Sequence, residues 1–592
     1  MLHEPRKDSL LDHYHCTFFL PLLGIESKGL AVNESNQHVT RQLYQPSEEM
    51  SEEDAQAYHF FTPTLREILF DSGSIPLSQE AVTNRQGDAE PSLVPVREWR
   101  IDEKAFANWE LQLKPSPSQE QGIESGKDHY GLYHQTTVFK SIHLYQYFNG
   151  IYILSFRVEP KVLSKLRQAL EVPVKDANGN NIYDENGKLK TRRCSVFEEG
   201  QLTHQYFSEI PNSHHHYDEL GEMQLEAWLR FSRLARQLYC TFSEQGDEGK
   251  VAPMLLSFGD NREPIKALDQ VMSKHVPSSL GSDLSDIVGH IASQFFDRKV
   301  MLAIRDSIRL FDDRMFISVG YGLAGKQYED LDRLRALIMF TDRYSDCWGN
   351  FDGYPYDKAS IAPMREKAEY NLWSGEGGHY IFTDMVNAYL SRGSFFREIA
   401  AIKHIPYIYD RMMVQALFYL ASLRFYDHRI TQDTQQMLVK KNPTAVGNIR
   451  QQREQFSRFT NQYWFQNITN QMQGKAIFNL QQQGLEIAPY YEQLEGEISR
   501  TNEYLQAVQD SQVSDNANRV GWAALIIAVI ALLPVINDIY KVEDPSMWKH
   551  MIDYLTTNYA LSEGAAKLVI SGGVTGTLAI VVWRLAFPKK QH

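Results

Sequence analysis

Lys188, Lys190, Arg192 and Arg193 form the densest run of cations ahead of the C-terminal third of the chain. Closely spaced guanidinium and ammonium groups suit recognition of phosphate, with Arg192 and Arg193 as the planar donors. A solvated hairpin arm is the plainer role for the same residues. Asp312, Asp313 and Arg314, just ahead of a β-branched run at residues 316–319, are a second mixed-charge candidate for ligand contact. Metal chemistry is poorly served. His214, His215 and His216 are consecutive, so their imidazoles do not share one face of a helix or strand. Asp176-Ala-Asn-Gly179 and Asp184-Glu-Asn-Gly187 offer carboxylate and amide oxygens, but neither supplies alternating ligands and a twelfth-position Glu. Both read as turns of a projecting hairpin. No Gly-rich phosphate cradle, nucleophile elbow or paired-His helix motif occurs, so no enzyme site is expected and no metal set or cofactor is assigned.

The elements that would position these groups follow from composition and patterning. The chain has 592 residues and a formal charge of −14, which argues against a general nucleic-acid binder. Its four cysteines, Cys16, Cys194, Cys240 and Cys347, lack metal-ligand spacing and read as reduced residues. The first 15 residues lack the apolar core of a signal peptide. Residues 16–23 read as a strand, and residues 26–125 are polar and interrupted. Residues 138–147 and 151–158 are β-branched and aromatic runs joined by Asn149-Gly150, a hairpin signal. An amphipathic helix is expected at 219–240, a short helix at 331–340 and a strand at 316–319. Residues 1–394 are therefore predicted to form an α/β (or α+β) domain. Residues 395–519 follow as long helices, the second a single helix over 445–483, and a stalk, with Pro406 marking a kink and Asn442-Pro443 a break. The Gly-rich block from Trp373 to Tyr380 reads as a turn at the junction.

Near the C-terminus, Leu494, Ile498, Thr501, Leu505 and Val508 form a heptad seam. The seam's register continues through Gln512, Asp515 and Arg519 into an uncharged run of 17 residues, 520–536. A second apolar run occupies 568–583. The pattern predicts a membrane hairpin: a first span at 520–540, an outer loop at 541–562, a second span at 563–587 and a basic tail at 588–592. Arg519, Arg584, Lys589 and Lys590 flank the spans, which would put both termini in the cytoplasm of a multi-pass bacterial inner-membrane protein. Gly572 and Gly576 suit close helix packing.

That order of parts resembles the CorA family of divalent-cation channels, chiefly over residues 502–590. Residues 373–390 and 395–430 resemble the cytosolic part of divergent CorA-like bacterial proteins. The resemblance implies a homopentamer in which the first span lines a pore through Trp522, Ile526, Val529, Leu533 and Ile536. Asp515 and Arg519 would form rings at the inner entrance, and Asn537 and Asp538 would stand at the outer mouth. The family's Gly-Met-Asn is absent; Val535-Ile536-Asn537-Asp538 stands there instead. Some CorA-like proteins accompany type III CRISPR systems in antiviral defence. The resemblance thus implies either a pore opened by a nucleotide second messenger or a magnesium transporter regulated by cytosolic cation. A membrane-anchored signalling or scaffold protein is the alternative.

Overall fold

In the computed structural model, the described residues are 10–24, 32–33, 36–44, 50–72, 94–113, 135–167, 170–176, 178, 180–194, 197–198, 201–202, 222–236, 254–259, 262–266, 287–296, 308–312, 314–324, 328, 330–339, 358–440, 443–539 and 547–586. They divide into two compact units, Met1–Glu495 and Gly496–His592.

The first unit is built on a 13-stranded mixed sheet. Its strands are β1 (Leu11–Gly24), β2 (Val39–Gln42), β3 (Arg97–Ile101), β4 (Glu110–Leu113), β5 (Gln135–Gln146) and β6 (Ile151–Pro160). After the small pairs β7 (Leu170–Pro173) with β8 (Thr191–Cys194) and β9 (Phe197–Glu198) with β10 (Gln201–Leu202), the sheet resumes. Its remaining strands are β11 (Met254–Ser257), β12 (Ile265–Lys266), β13 (Ile308–Leu310), β14 (Phe316–Leu323), β15 (Glu369–Tyr370), β16 (His379–Phe382) and β17 (Val386–Arg392). The order is β12-β11-β4-β5-β6-β1-β14-β17-β16-β15, with β2 and β3 added beside β5. Only β14 and β17, in this path, run parallel. The β5–β6 hairpin forms where Asn149-Gly150 predicts it, with Gly150 at φ +81°.

β1 lies between β6 and β14, and strand alternation gives it two unlike faces. Tyr14, Cys16 and Phe18 point to an apolar side, where helix α1 (Leu225–Ala235) brings Trp228 to 4.4 Å from the Tyr14 ring. His13, His15 and Thr17 point to the other. The registers carry that second face across the sheet: Glu98 and Arg100 on β3, His143 and Tyr145 on β5, Ser155 and Arg157 on β6, Ser318 on β14 and Asn387 on β17. A buried face this polar is unusual. It is covered by a π-helix, Phe396–Tyr409, which continues as α2 (Asp410–Lys440).

Two glycines clear space for the polar face. A Cβ on Gly320 would lie 2.7 Å from His15 Nδ1, and one on Gly322 would lie 2.7 Å from Asp12 Oδ1. β1 carries one extra residue at Asp12 opposite β14, a bulge that redirects the carboxylate.

Helices α3 (Pro443–Gln462) and α4 (Met472–Gly484) replace the single helix expected over 445–483. The break is held from outside: Thr469 Oγ1 donates to the Phe60 carbonyl at 2.6 Å, and Phe465 N–H donates to the Tyr419 hydroxyl at 2.8 Å. Within 219–240, Leu225–Ala235 forms α1, and within 331–340, Leu331–Met339 forms a helix.

The C-terminal expectation needs correction. α5 (Ile487–Ile539), α6 (Met547–Tyr559) and α7 (Glu563–Ala586) are the last described helices. Among the described residues no helix is long and apolar enough to cross a membrane. The uncharged run in α5 would extend roughly 26 Å, short of a hydrocarbon core of about 30 Å, and it contains Gly521 and Pro534. α7 carries Lys567 and Arg584, with Ser571, Gly572, Gly573, Thr575, Gly576 and Thr577 between them. Neither the two-span hairpin nor the multi-pass inner-membrane placement is supported. Part of the heptad seam is consumed within the chain, since Leu494 and Leu505 are buried.

Gly320→Ala should lower stability by about 1–3 kcal/mol through overpacking against the fixed His15 ring, read by urea denaturation. His15→Ala in the Gly320→Ala background should recover part of the loss. An unchanged midpoint for Gly320→Ala would show that the ring is free to move.

Candidate functional site

The polar face carries two clusters joined by one aspartate. At one end, Glu98 is wholly buried and accepts from Arg100 Nε at 2.8 Å, His143 Nδ1 at 2.7 Å, Arg411 Nη1 at 3.0 Å and the Tyr44 hydroxyl. Arg100 and Arg411 also donate to the Tyr44 oxygen, at 2.8 and 2.9 Å, and Arg100 reaches Asp54 at 3.2 Å. Burial alone would raise the Glu98 carboxyl. Arg100 and Arg411, with the His143 hydrogen bond, outweigh it and hold the group well below the usual carboxylate range. Burial holds His143 below its ordinary value despite Glu98. The Glu98 carboxylate is saturated and one donor of this end, Arg411 Nε, lacks an acceptor, so it reads as a structural clamp between β3 and α2.

Asp410, the first residue of α2, sits midway. It accepts from Thr17 Oγ1 at 2.7 Å and from Ser318 Oγ. Burial pushes its carboxyl up to about 6, with those two hydroxyls opposing.

The other end lies beneath the start of the π-helix. Arg397 Nη1 pairs with Asp12 at 3.0 Å, and Arg157 Nη2 with Glu159 at 3.2 Å. Burial pushes Asp12 up to about 6, against the pull of Arg397 and Arg167. Arg167 Nη2 lies 2.6 Å from His13 Nδ1, and His13 Nε2 lies 2.8 Å from His15 Nδ1. A guanidinium can only donate, so His13 Nδ1 accepts, its proton sits on Nε2, and His15 Nδ1 accepts in turn. The His15 proton is therefore on Nε2. Burial holds both imidazoles well below their ordinary value, and Arg167 and Arg157 add to the effect, so both rings are neutral. His15 Nε2, Arg157 Nε and Arg167 Nε have no acceptor. This end thus holds a surplus of buried donors, which cost free energy until an acceptor reaches them.

The rim is built from β17 and the Gly-rich block. β17 ends at Arg392, the chain turns through Gly393 at φ +88°, and the π-helix begins at Phe396. Residues 374–376 form a 3-10 turn closed by Gly377 at φ +82°, whose carbonyl accepts from Tyr328. The Arg392 guanidinium lies over the Tyr328 ring at 5.1 Å. Trp373 and Phe395 stack at 6.5 Å with 38% and 56% of their surface exposed, an aromatic pair open to solvent.

No family model, curated protein or solved structure matches the chain.

The residues singled out from sequence fall elsewhere. Arg192 and Arg193 lie on β8 in its own two-stranded sheet with β7, opposite Val172 and Glu171, and their side chains lie outside the described residues. Arg314 Nε pairs with Asp312 at 3.5 Å and its N–H caps the same carboxylate at 3.0 Å, a local turn; Asp313 lies outside the described residues. His214, His215 and His216 also lie outside them. Asp176 and Asp184 each accept from N–H groups two and four residues on, which is turn chemistry. Among the described residues there is no group of His, Cys, Asp and Glu suited to a metal. On α5, Arg519 is exposed and Trp522 half-buried; the side chains of Asp515, Ile526, Val529, Leu533, Ile536, Asn537 and Asp538 lie outside the described residues. Asp12, His13, His15, Arg157, Arg167 and Arg397 were missed. Their signal was the alternation of polar His13, His15 and Thr17 with apolar Tyr14, Cys16 and Phe18.

The Asp410 carboxyl titrates higher in the folded chain than its ordinary value of 3.8, at about 6. The folded state therefore binds the extra proton between these values, and Asp410 costs stability as pH rises through that window. Compared with wild type, Asp410→Asn should gain roughly 3 kcal/mol between pH 4 and pH 7, followed as the difference between their thermal-melt curves. A pH-independent difference would contradict the burial argument.

Proposed function

We propose that the first unit binds a phosphate-bearing ligand of nucleotide type at the Asp12–His13–Arg167 end of the polar face, and acts as a sensor rather than a catalyst. The observation that carries this reading is the surplus of buried donors on His15, Arg157 and Arg167. A phosphate offers several strong acceptors and a charge that guanidiniums match. Arg397, at the opening of the helix, adds a further cation. The exposed Trp373–Phe395 pair gives a base a surface on which to stack.

A sensing role is favoured over turnover by the state of the reactive groups. Both histidines are held neutral by burial, and the buried Cys16 thiol is pushed well up by the same cause. A nucleotide second messenger is the ligand class proposed. The likeness to CorA proteins rested chiefly on the C-terminal hairpin, so no ion-conducting role is proposed.

Thermal shift and calorimetry with inorganic phosphate, pyrophosphate, ATP and cyclic oligoadenylates test the reading. A nucleotide present at about a hundred times its Kd should stabilise the fold by about 2.7 kcal/mol. Arg167→Gln, at a half-buried position, should weaken that ligand at least about tenfold while leaving the ligand-free melt near wild type; a lost charge-assisted bond is worth about that much. Binding unchanged in Arg167→Gln, or no response to any phosphate-bearing compound, would reject the site.

A further inference from the structure

Pro406 lies inside the π-helix. In that register each N–H bonds five residues back, so an N–H at position 406 would serve the carbonyl of Ala401. Proline has none. The Ala401 carbonyl is therefore orphaned in the π register, whereas in an α register the orphan would be Ile402, four residues back. Arg157 Nη2 donates to the Ala401 carbonyl at 2.7 Å, fully buried. One guanidinium from β6 thus satisfies an acceptor that only the π register creates.

The C-terminal end of the segment keeps the same register, since the Asp410 N–H donates to the Ile405 carbonyl. Asp410 is fixed to β1 and β14 through Thr17 and Ser318, so this end is anchored. The N-terminal end has more room: a Cβ on Gly393 would meet nothing within 4 Å.

We propose that residues 396–409 are a two-register element held in the π form by Arg157. Resting on the binding site proposed above, an anion that draws the Arg157 guanidinium away resets the segment to the α form. An α turn holds about one residue fewer than a π turn, so the reset lengthens the segment. With Asp410 anchored, the added length emerges at Gly393 and Ser394 and carries Phe395 and Arg397 with it. Arg397 must then leave Asp12, which ties the register to the occupancy of the same cluster. Arg157 is a positioning residue in this scheme, and its guanidinium reports the ligand to the helix.

Nitroxides at Ile402 and Lys104, both exposed positions of the first unit, read the register as a distance by pulsed electron spin resonance. Pyrophosphate should shift the wild-type distance. Arg157→Met should show the shifted distance without pyrophosphate and respond no further, while Arg157→Lys, which keeps a donor, should stay near wild type. Pro406→Ala gives a second route that keeps Arg157: the restored N–H removes the reason for the π register, and the distance should again shift. A distance unmoved in both Arg157→Met and Pro406→Ala overturns the two-register assignment. A shift in both variants with no wild-type response to pyrophosphate upholds the register assignment and rejects the anion as its trigger.

Discussion

A charge taken out of water must be paired, and on the polar face of the sheet every element is placed by that demand. Glu98, Asp12 and Asp410 are buried, and so are Arg157, Arg397 and Arg411. Desolvation costs several kcal/mol per ion, so removing one partner is far more damaging than replacing both. The covering helix is consequently fixed at three points: Arg397 on Asp12, Asp410 on Thr17 and Ser318, and Arg411 on Glu98. Apolar contacts alone would let a helix slide or rotate over a sheet. Directional bonds to buried charge specify the placement for as long as those pairs hold.

The opposite face of the same strands follows ordinary rules, with Tyr14, Phe18, Phe156 and Trp228 packed as aromatic core. The asymmetry divides the labour within the first unit. One side supplies hydrophobic stability; the other holds groups whose protonation and pairing respond to what reaches them. The two ends of the polar face also differ. Around Glu98 the carboxylate is fully bonded and one donor, Arg411 Nε, lacks an acceptor, whereas around His15 three donors do: His15 Nε2, Arg157 Nε and Arg167 Nε. Binding chemistry belongs where bonds are still owed, and the rim of Trp373, Phe395 and Arg392 lies at that end.

Much of the local structure was legible in the sequence. Asn149-Gly150 fixed the central hairpin, and Asp176 and Asp184 announced their turns. Pro406 was read as a kink, and it instead marks the π register, because the partner that compensates it, Arg157, lies on another element. Asp12, His13 and His15 were passed over because charged residues at the start of an apolar run look like a strand's solvent-exposed edge. Their burial depends on Gly320 and Gly322, which are far away in sequence and clear the space. The helix expected over 445–483 is broken by contacts to Phe60 and Tyr419, which no local propensity encodes. At the C-terminus, apolar periodicity was read as a membrane hairpin, and no described helix is long and apolar enough to cross a membrane.

Paired buried charge sets where the covering helix sits, and a double-mutant cycle between Glu98 and Arg411 tests this most directly. Glu98→Gln, Arg411→Met and the double variant would be compared by urea denaturation. If the pair fixes the helix, each single variant loses several kcal/mol, and the double variant loses less than their sum by at least about 2 kcal/mol. Single losses that add to within about 0.5 kcal/mol would contradict the account. The two groups would then act independently, and apolar packing would hold the helix instead.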